Sequence, residues 1–179
     1  MVWNERLKRE IPDEWAVLTL SDLVQHINTG LNPRQNFKLG NGSIRYVTVK
    51  NLGKDGSIDY SSCDVIDEAA RAKVHARSDI STGDVLFASI APLGRCHVIM
   101  EEPQDWDINE SVFSIRPSSL STPEYLYGFL TSEHFVHGAT NQSTGSIFKG
   151  IRINDLLDTD VILPDRRTLE GYSIKARMI

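Results

Sequence analysis

The run Val-Leu-Phe-Ala-Ser-Ile-Ala at residues 85–91 constrains this chain more than any other stretch. It is apolar, of strand length, and bounded by Gly83-Asp84 on one side and Pro92-Leu93-Gly94 on the other. Proline presets a turn and glycine tolerates positive φ, so residues 95–99 can return as a second strand and close a hairpin in the core. Ser89, Arg95 and His97 ride on or beside that buried pair. A rigid strand pair presenting an arginine next to a turn makes a platform for a binding surface; the plainer alternative is an ordinary sheet core with a surface arginine.

The remaining segments read as short elements around the hairpin. Residues 16–20 form a strand behind Trp15, and Ser21 caps a brief helix over 22–27 that Asn28-Thr29-Gly30 ends. The polar stretch 31–43, with Arg34 and Lys38, is a loop of a length that signals function or mobility. Residues 44–50 alternate as a strand, Ile44 and Tyr46 on one face, Arg45 and Val47 on the other. A turn-rich loop follows over 51–57, carrying Lys54, and 58–62 returns as a further strand. Residues 64–66 are extended, and Asp67 caps a helix over 68–76 whose basic residues sit toward its C-terminal half.

After the hairpin, 101–110 is an acidic connection and 111–116 a strand ended by Pro117. Thr122-Pro123 starts a helix with Tyr125, Leu126, Phe129 and Leu130 on its buried face, and 132–140 continues it after a bend. Residues 141–146 read as a loop, 147–150 as extended, 152–157 as a short helix and 160–164 as a last strand. The segment 165–179 has helix-forming residues and mixed charge, reading as the first turns of a longer helix that is ordered only where it packs on the domain or on another chain. The fold class is α/β of the α+β kind: a twisted, mostly antiparallel or mixed sheet with short flanking helices over 1–164, then the start of a long helix over 165–179.

Charge limits the function. Nineteen Lys and Arg against 24 Asp and Glu leave a formal net charge of -5, so non-specific attraction to nucleic acid needs a local basic patch or a basic partner. No run approaches the roughly 18 apolar residues of a membrane span, and the polar start lacks the apolar stretch of a secretion signal, which points to the cytoplasm. Cys63 and Cys96, far apart in sequence, suit reduced thiols rather than a disulfide or metal framework.

Motifs for chemistry are sparse. Neither a Gly-x-x-x-x-Gly-Lys-Ser/Thr nor a Gly-x-Gly-x-x-Gly phosphate loop is present. A calcium loop starting at Asp105 fails, with Glu110 where glycine is needed and Arg116 where glutamate is needed. His134 and His137 lack partners that would make a metal site, and read as solvated helix residues. Cys96 and His97 cannot act as nucleophile and base, since neighbours in a strand point to opposite faces. Asp84, Asp107 and Glu110 could serve a metal-dependent nuclease, but nothing in their spacing assembles them. What remains is a set of loops rich in side chains that hydrogen-bond base edges and phosphates: Arg34, Lys38, Lys50, Asn51, Lys54, Ser89, Arg95, Thr144, Lys149 and Arg152. Arg95 is the expected base reader and Lys149 the expected phosphate contact.

One family matches the order of the segments. Ile11-Pro12-x-x-Trp15, Leu20-x-Asp22, Ile27-x-Thr29-Gly30, Tyr46-Val47-Thr48-Val49-Lys50-Asn51-Leu52, Gly83-Asp84-Val85-Leu86-Phe87-Ala88-Ser89, residues 109–116, and Ser143-Thr144-Gly145-Ser146 running on through Lys149 to Leu163-Pro164 follow one another in the chain. Together they resemble the target recognition domain of the specificity (S) subunit of type I restriction-modification systems. The resemblance implies a non-catalytic module that reads half of a bipartite site in double-stranded DNA, followed by a spacer helix that docks methyltransferase subunits, with restriction subunits attached indirectly. It implies that 165–179 is a truncated spacer helix, and that a second recognition domain or a second copy completes the site. S-adenosylmethionine, ATP and magnesium would belong to partner subunits. The competing class is a protein-interaction scaffold that never touches DNA; what separates the two is whether Arg34, Lys50, Lys54, Arg95, Lys149 and Arg152 share one face.

Overall fold

The computed structural model describes residues 1–143 and 150–178. In chain order the elements are β1 (Val2–Asn4), β2 (Arg9–Ile11), β3 (Ala16–Thr19), α1 (Leu20–Leu23), β4 (Val24–Thr29), β5 (Ile44–Val47), β6 (Asp64–Ile66), α2 (Glu68–Ser78), β7 (Val85–Ala88), β8 (Cys96–Val98), β9 (Trp106–Ile108), β10 (Val112–Pro117), α3 (Pro123–Thr131), α4 (Glu133–Ser143), α5 (Ile153–Leu157), β11 (Asp160–Leu163) and α6 (Arg166–Ala176). The central sheet has the order β4-β10-β7-β8 and is antiparallel throughout. A smaller sheet, β6-β5-β9, is mixed, with β9 parallel to β5. Two antiparallel pairs, β1-β2 and β3-β11, complete the strands.

The apolar run has a layered explanation. All four residues of β7 are 0% exposed. Val85 and Phe87 pack with Leu126 and Leu130 of α3 and Phe135 of α4, whereas Leu86 and Ala88 pack with Val47, Trp106 and Ile108 of the smaller sheet. A strand sandwiched between helices and a second sheet has no solvent face, so it reads as continuous apolar sequence rather than alternation. Beyond the smaller sheet, Ala70 and Val74 of α2 close a third cluster on Ile44, Tyr46 and Ile66. The expected hairpin pairs Val85 with Val98 and Phe87 with Cys96, and Gly94 takes φ 81° in its turn.

Several local readings need correction. The helix after β3 is a single turn: the Asp22 carboxylate accepts from the Thr19 N–H at 2.9 Å, so Thr19 and not Ser21 caps it. Residues 24–29, expected as helix, form β4 against β10, because Val24, Ile27 and Thr29 are β-branched and find a ladder partner. Residues 58–62 do not form a strand. Ile58 makes one bridge to Leu52, after which the Asp59 carboxylate accepts from the Ser61 N–H and both the Ser61 and Ser62 hydroxyls, diverting the backbone into a 3-10 turn. The acidic connection holds β9, whose partner β5 lies some sixty residues earlier and so leaves no local pattern. The helix expected to end at residue 140 continues through Ser143, and Ser132, at ψ 142°, makes the break between α3 and α4. The expected extended segment 147–150 lies outside the described residues except Gly150, which bridges Ile90.

Two polar clusters hold layers together. Asp107 of β9 is fully buried; its carboxylate accepts from the Ser78 hydroxyl at 2.6 Å and the Ile108 N–H at 2.8 Å and lies 3.1 Å from His75 Nδ1. These bonds tie α2 to the smaller sheet. Asp84, also buried, receives Arg116 Nε at 2.8 Å, Arg116 Nη2 at 3.0 Å and the Ser114 hydroxyl at 3.0 Å, fastening β10 to the turn before β7. Desolvation pushes the Asp107 carboxyl above its ordinary range despite those three partners.

The last helix docks on the domain. Asp165 caps α6, accepting from the Thr168 N–H at 3.0 Å, and Leu169 is buried. Tyr172 meets Tyr125 edge to face, the Thr122 and Ser173 hydroxyls lie 2.7 Å apart, and Arg177 pairs with Glu124 at 2.6 Å. The Tyr172 hydroxyl fills the space where a Cβ at Gly128 would stand.

Two consequences are measurable. Alanine gains about 0.8–1 kcal/mol over glycine in a helix interior, but at Gly128 it must displace Tyr172. G128A therefore gives no stabilisation in the wild-type background and about 0.8 kcal/mol in a Tyr172→Ala background, read from urea denaturation of the four variants. Asp107 has a folded pKa above its unfolded one, so its contribution to stability is fully present below the unfolded pKa and is lost as pH rises through the folded value. D107N keeps an acceptor for Ser78 and removes that loss, while D107A orphans the Ser78 hydroxyl at about 1–3 kcal/mol. Denaturation midpoints from about pH 4 to pH 7 should fall less for D107N than for the wild type.

Candidate nucleic-acid interface

The turn 109–111 carries the chain from β9 of the smaller sheet into β10 of the central one. Three other strand ends hang on this turn. The Asn109 N–H donates to the Val47 carbonyl at 2.9 Å, the Gly30 N–H donates to the Asn109 carbonyl at 3.2 Å, and the Ser89 N–H donates to the Ser111 carbonyl at 3.0 Å. A Cβ at Gly30 would overlap the Ile108 carbonyl, so only glycine lets β4 end this close to β9. The loops that leave β4, β5 and β7 consequently start from one end of the molecule. Gly150 joins them through its bridge to Ile90, and the Ile151 N–H donates to the Ser89 carbonyl at 2.8 Å.

The sequence-expected residues divide by exposure. Lys50 and Lys54, on the loop after β5, and Arg152, just before α5, are exposed at this end. Arg34 and Lys38 are also exposed, but their loop runs away from the junction and over α2, where Lys73 Nζ donates to the Asn36 carbonyl at 3.0 Å. Asn51 and Ser89 are 4% exposed and bind their own surroundings. Asn51 Oδ1 accepts from the Thr48 N–H at 2.8 Å and the Thr48 hydroxyl at 2.9 Å, while Nδ2 donates to the Asp59 carbonyl and the Ser62 hydroxyl. The Ser89 hydroxyl donates to the Ser111 carbonyl at 2.8 Å. Both residues therefore shape loops from within. Arg95 is half-buried and donates from Nη1 to the Leu52 carbonyl at 3.1 Å. Thr144 and Lys149 lie outside the described residues.

Sequence reading overlooked Lys73 and Arg77 as site candidates. Both are exposed on α2, and Arg77 Nη2 reaches the Thr29 hydroxyl at 3.5 Å, at the tip of β4. The signal was available in the basic C-terminal half of the helix, but placing it here requires knowing that α2 packs beside β4 and β9.

Charge on the loop after β5 is balanced. Asp55 and Asp59 flank Lys54, and the Ser57 and the Ser61 and Ser62 hydroxyls, respectively, hold their carboxyls below the ordinary range, so both stay ionised near neutral pH. Negative charge is concentrated at the other end of the sheets, where Asp105 pairs with Arg45. There Glu101, Glu102, Gln104 and Asp105 line an open cavity of about 740 Å³ with Tyr60, His97 and Trp106. Among the described residues, no group of three His, Cys, Asp or Glu is arranged to hold a metal ion. Cys96 is buried and Cys63 partly so, burial pushing the Cys63 thiol up to about 11. No described helix is long and apolar enough to cross a membrane.

No family model matches the sequence, and no curated protein matches it. Solved structures do. A chain from a type I R-M system, solved for its complex assembly and conformational transition, superposes with a TM-score of 0.66 at 16% identity, covering 95% of this chain and 39% of that one. The HsdS subunit from Thermoanaerobacter tengcongensis gives 0.63 at 16% identity, covering 95% and 38%. The type I restriction-modification S subunit from M. genitalium gives 0.54 at 10% identity, covering 93% and 42%. This chain spans about two fifths of the length of these structures, and over nearly all of its own length it has the mixed α/β fold that part of a type I specificity subunit adopts.

Proposed function

We propose that this chain is a sequence-specific DNA recognition module of a type I restriction-modification complex, reading one half of a bipartite site and docking methyltransferase subunits without catalysing either reaction itself. The observation that carries the reading is the gathering of loops bearing Lys50, Lys54 and Arg152 at one end of a fold shared with specificity subunits. Arg34 and Lys38, with Lys73 and Arg77, extend the basic surface along α2. In this reading the exposed cations position the duplex and neighbouring loop groups discriminate bases. Methyltransferase subunits supply much of the phosphate attraction that a chain of net charge -5 lacks, and restriction subunits join through them. S-adenosylmethionine, ATP and magnesium act in those partners.

A separate feature supports the docking half of the proposal and gives the scaffold reading its footing. Leu7, Tyr125, Phe129, Ile162 and Tyr172 line a largely apolar cleft of about 370 Å³ between the β1-β2 turn, α3, β11 and α6. Ile174 and Met178 are exposed beyond it on α6 or just past its end. A methyltransferase subunit, a second recognition domain or a second copy of this chain would cover such a surface.

The chain should enrich a short motif from a randomised duplex pool, and log affinity for that motif should fall with log salt at a slope of about -2 to -5, since each phosphate contact contributes about 0.9 and few exposed cations are available. Absence of any enriched motif, with the folded protein verified, would remove the DNA reading and leave the scaffold. Incubated with duplex DNA, magnesium and S-adenosylmethionine, the pure protein should neither cleave nor methylate; turnover that co-purifies with it through every step would contradict a recognition-only role.

A further inference from the structure

Strand β8 holds the loop after β5 from beneath. Arg95 and His97 stand two residues apart across the start of β8, so their side chains leave the same face, while Cys96 between them enters the core. Arg95 Nη1 donates to the Leu52 carbonyl at 3.1 Å, and His97 Nδ1 lies 2.7 Å from the Gly56 carbonyl, for which it is the donor. Lys54 sits between these two fixed carbonyls. Its turn is closed by the Gly53 N–H donating to the Ser57 carbonyl at 2.9 Å and by the Asp55 carboxylate accepting from the Ser57 N–H and hydroxyl. Gly56, at φ 83°, lies close under the Tyr127 hydroxyl, which leaves the turn little room to sink.

We propose that Arg95 is a positioning residue: through the Leu52 carbonyl it fixes the turn that presents Lys54, and Lys54 makes the contact with the nucleic-acid backbone. The guanidinium is committed to the protein by more than this bond. Its Nε is buried without a hydrogen-bond partner and its Nη1 is held by the Leu52 carbonyl, so two of the three nitrogens of this half-buried group face the protein. A bidentate base contact needs two free donors facing the groove, whereas the exposed ammonium of Lys54, a compact point charge on a flexible stem, suits a phosphate. The proposal rests on the DNA reading given above and names the division of labour within it.

The test combines amide hydrogen exchange, which needs no DNA, with titration of the 179-residue chain against the enriched duplex and single-base-pair variants of it. R95A should speed exchange in residues 52–57 while the midpoint of global unfolding shifts little, and R95K, which can still reach the carbonyl, should restore part of the protection. Both R95A and K54A should weaken binding about tenfold on every duplex and lower the salt slope by about 0.9. Because the two act through one contact, R95A/K54A should be about tenfold weaker than wild type rather than about a hundredfold, with no further fall in slope. A merely structural contribution from Arg95 would multiply with K54A. Unchanged loop exchange in R95A, a change in preference at one base pair, or a doubled loss of slope would each overturn the assignment. If the wild-type chain enriched no duplex, the DNA reading would fail on its own, and the exchange arm would still decide whether Arg95 braces the turn.

Discussion

The junction at Asn109 and Ser111 is the constraint on which one whole end of this molecule depends. Backbone groups of these two residues receive or serve the ends of β4, β5 and β7, so three loops that are distant in sequence start side by side. These bonds are main-chain, and two junction side chains brace them: the Ser89 hydroxyl donates to the Ser111 carbonyl and Asn109 Oδ1 accepts from the Ser111 N–H. Side chains beyond Gly30, Val47 and Ser89 can vary while the strand ends stay fixed, an arrangement suited to a module whose surface must be adapted without disturbing its core. At Gly30 side-chain identity is dictated by space, since any Cβ there would displace β9.

The layering explains which parts of this plan the sequence could reveal. The hairpin was legible because β7 is buried on both faces and bounded by turn residues, and α2 and α3 because Asp67 and Thr122 cap them with the expected side-chain bonds. Capping and burial are local in sequence. Strand β9 was not legible, since its three residues owe their conformation to β5 and to a buried aspartate held by α2. Nor was β4, where a capping motif followed by acidic and apolar residues suggests helix until the ladder with β10 outweighs it. In both cases tertiary pairing overrode local propensity.

The candidate site was legible as chemistry and less so as geometry. Loop composition singled out the exposed Lys50, Lys54 and Arg152, but the same composition drew in Asn51 and Ser89, whose polar groups are spent on holding the loops themselves. A polar side chain in a loop is as often the loop's own scaffold as its working surface, and only burial separates the two. Arg95 stands between these classes: a charge near a turn, yet turned toward a carbonyl of the neighbouring loop. Lys73 and Arg77 show the converse, residues that read as the solvated end of a helix and lie beside the tip of β4.

Charge distribution constrains what such a surface can do alone. The loop after β5 carries Lys50 and Lys54 with Asp55 and Asp59, the two aspartates kept ionised by serine hydroxyls, so it contributes no net attraction to a polyanion. At that end and along α2 the exposed positive charge amounts to a few side chains, while Glu101, Glu102 and Asp105 crowd the far end of the sheets. A ligand of uniform negative charge would be oriented by this separation before it was bound tightly by it, because the field falls off within about 8–10 Å at physiological salt. Tight binding then has to come either from close hydrogen-bond complementarity at the loops or from positive charge on another chain, and a neutral, internally braced loop is organised for the first of these.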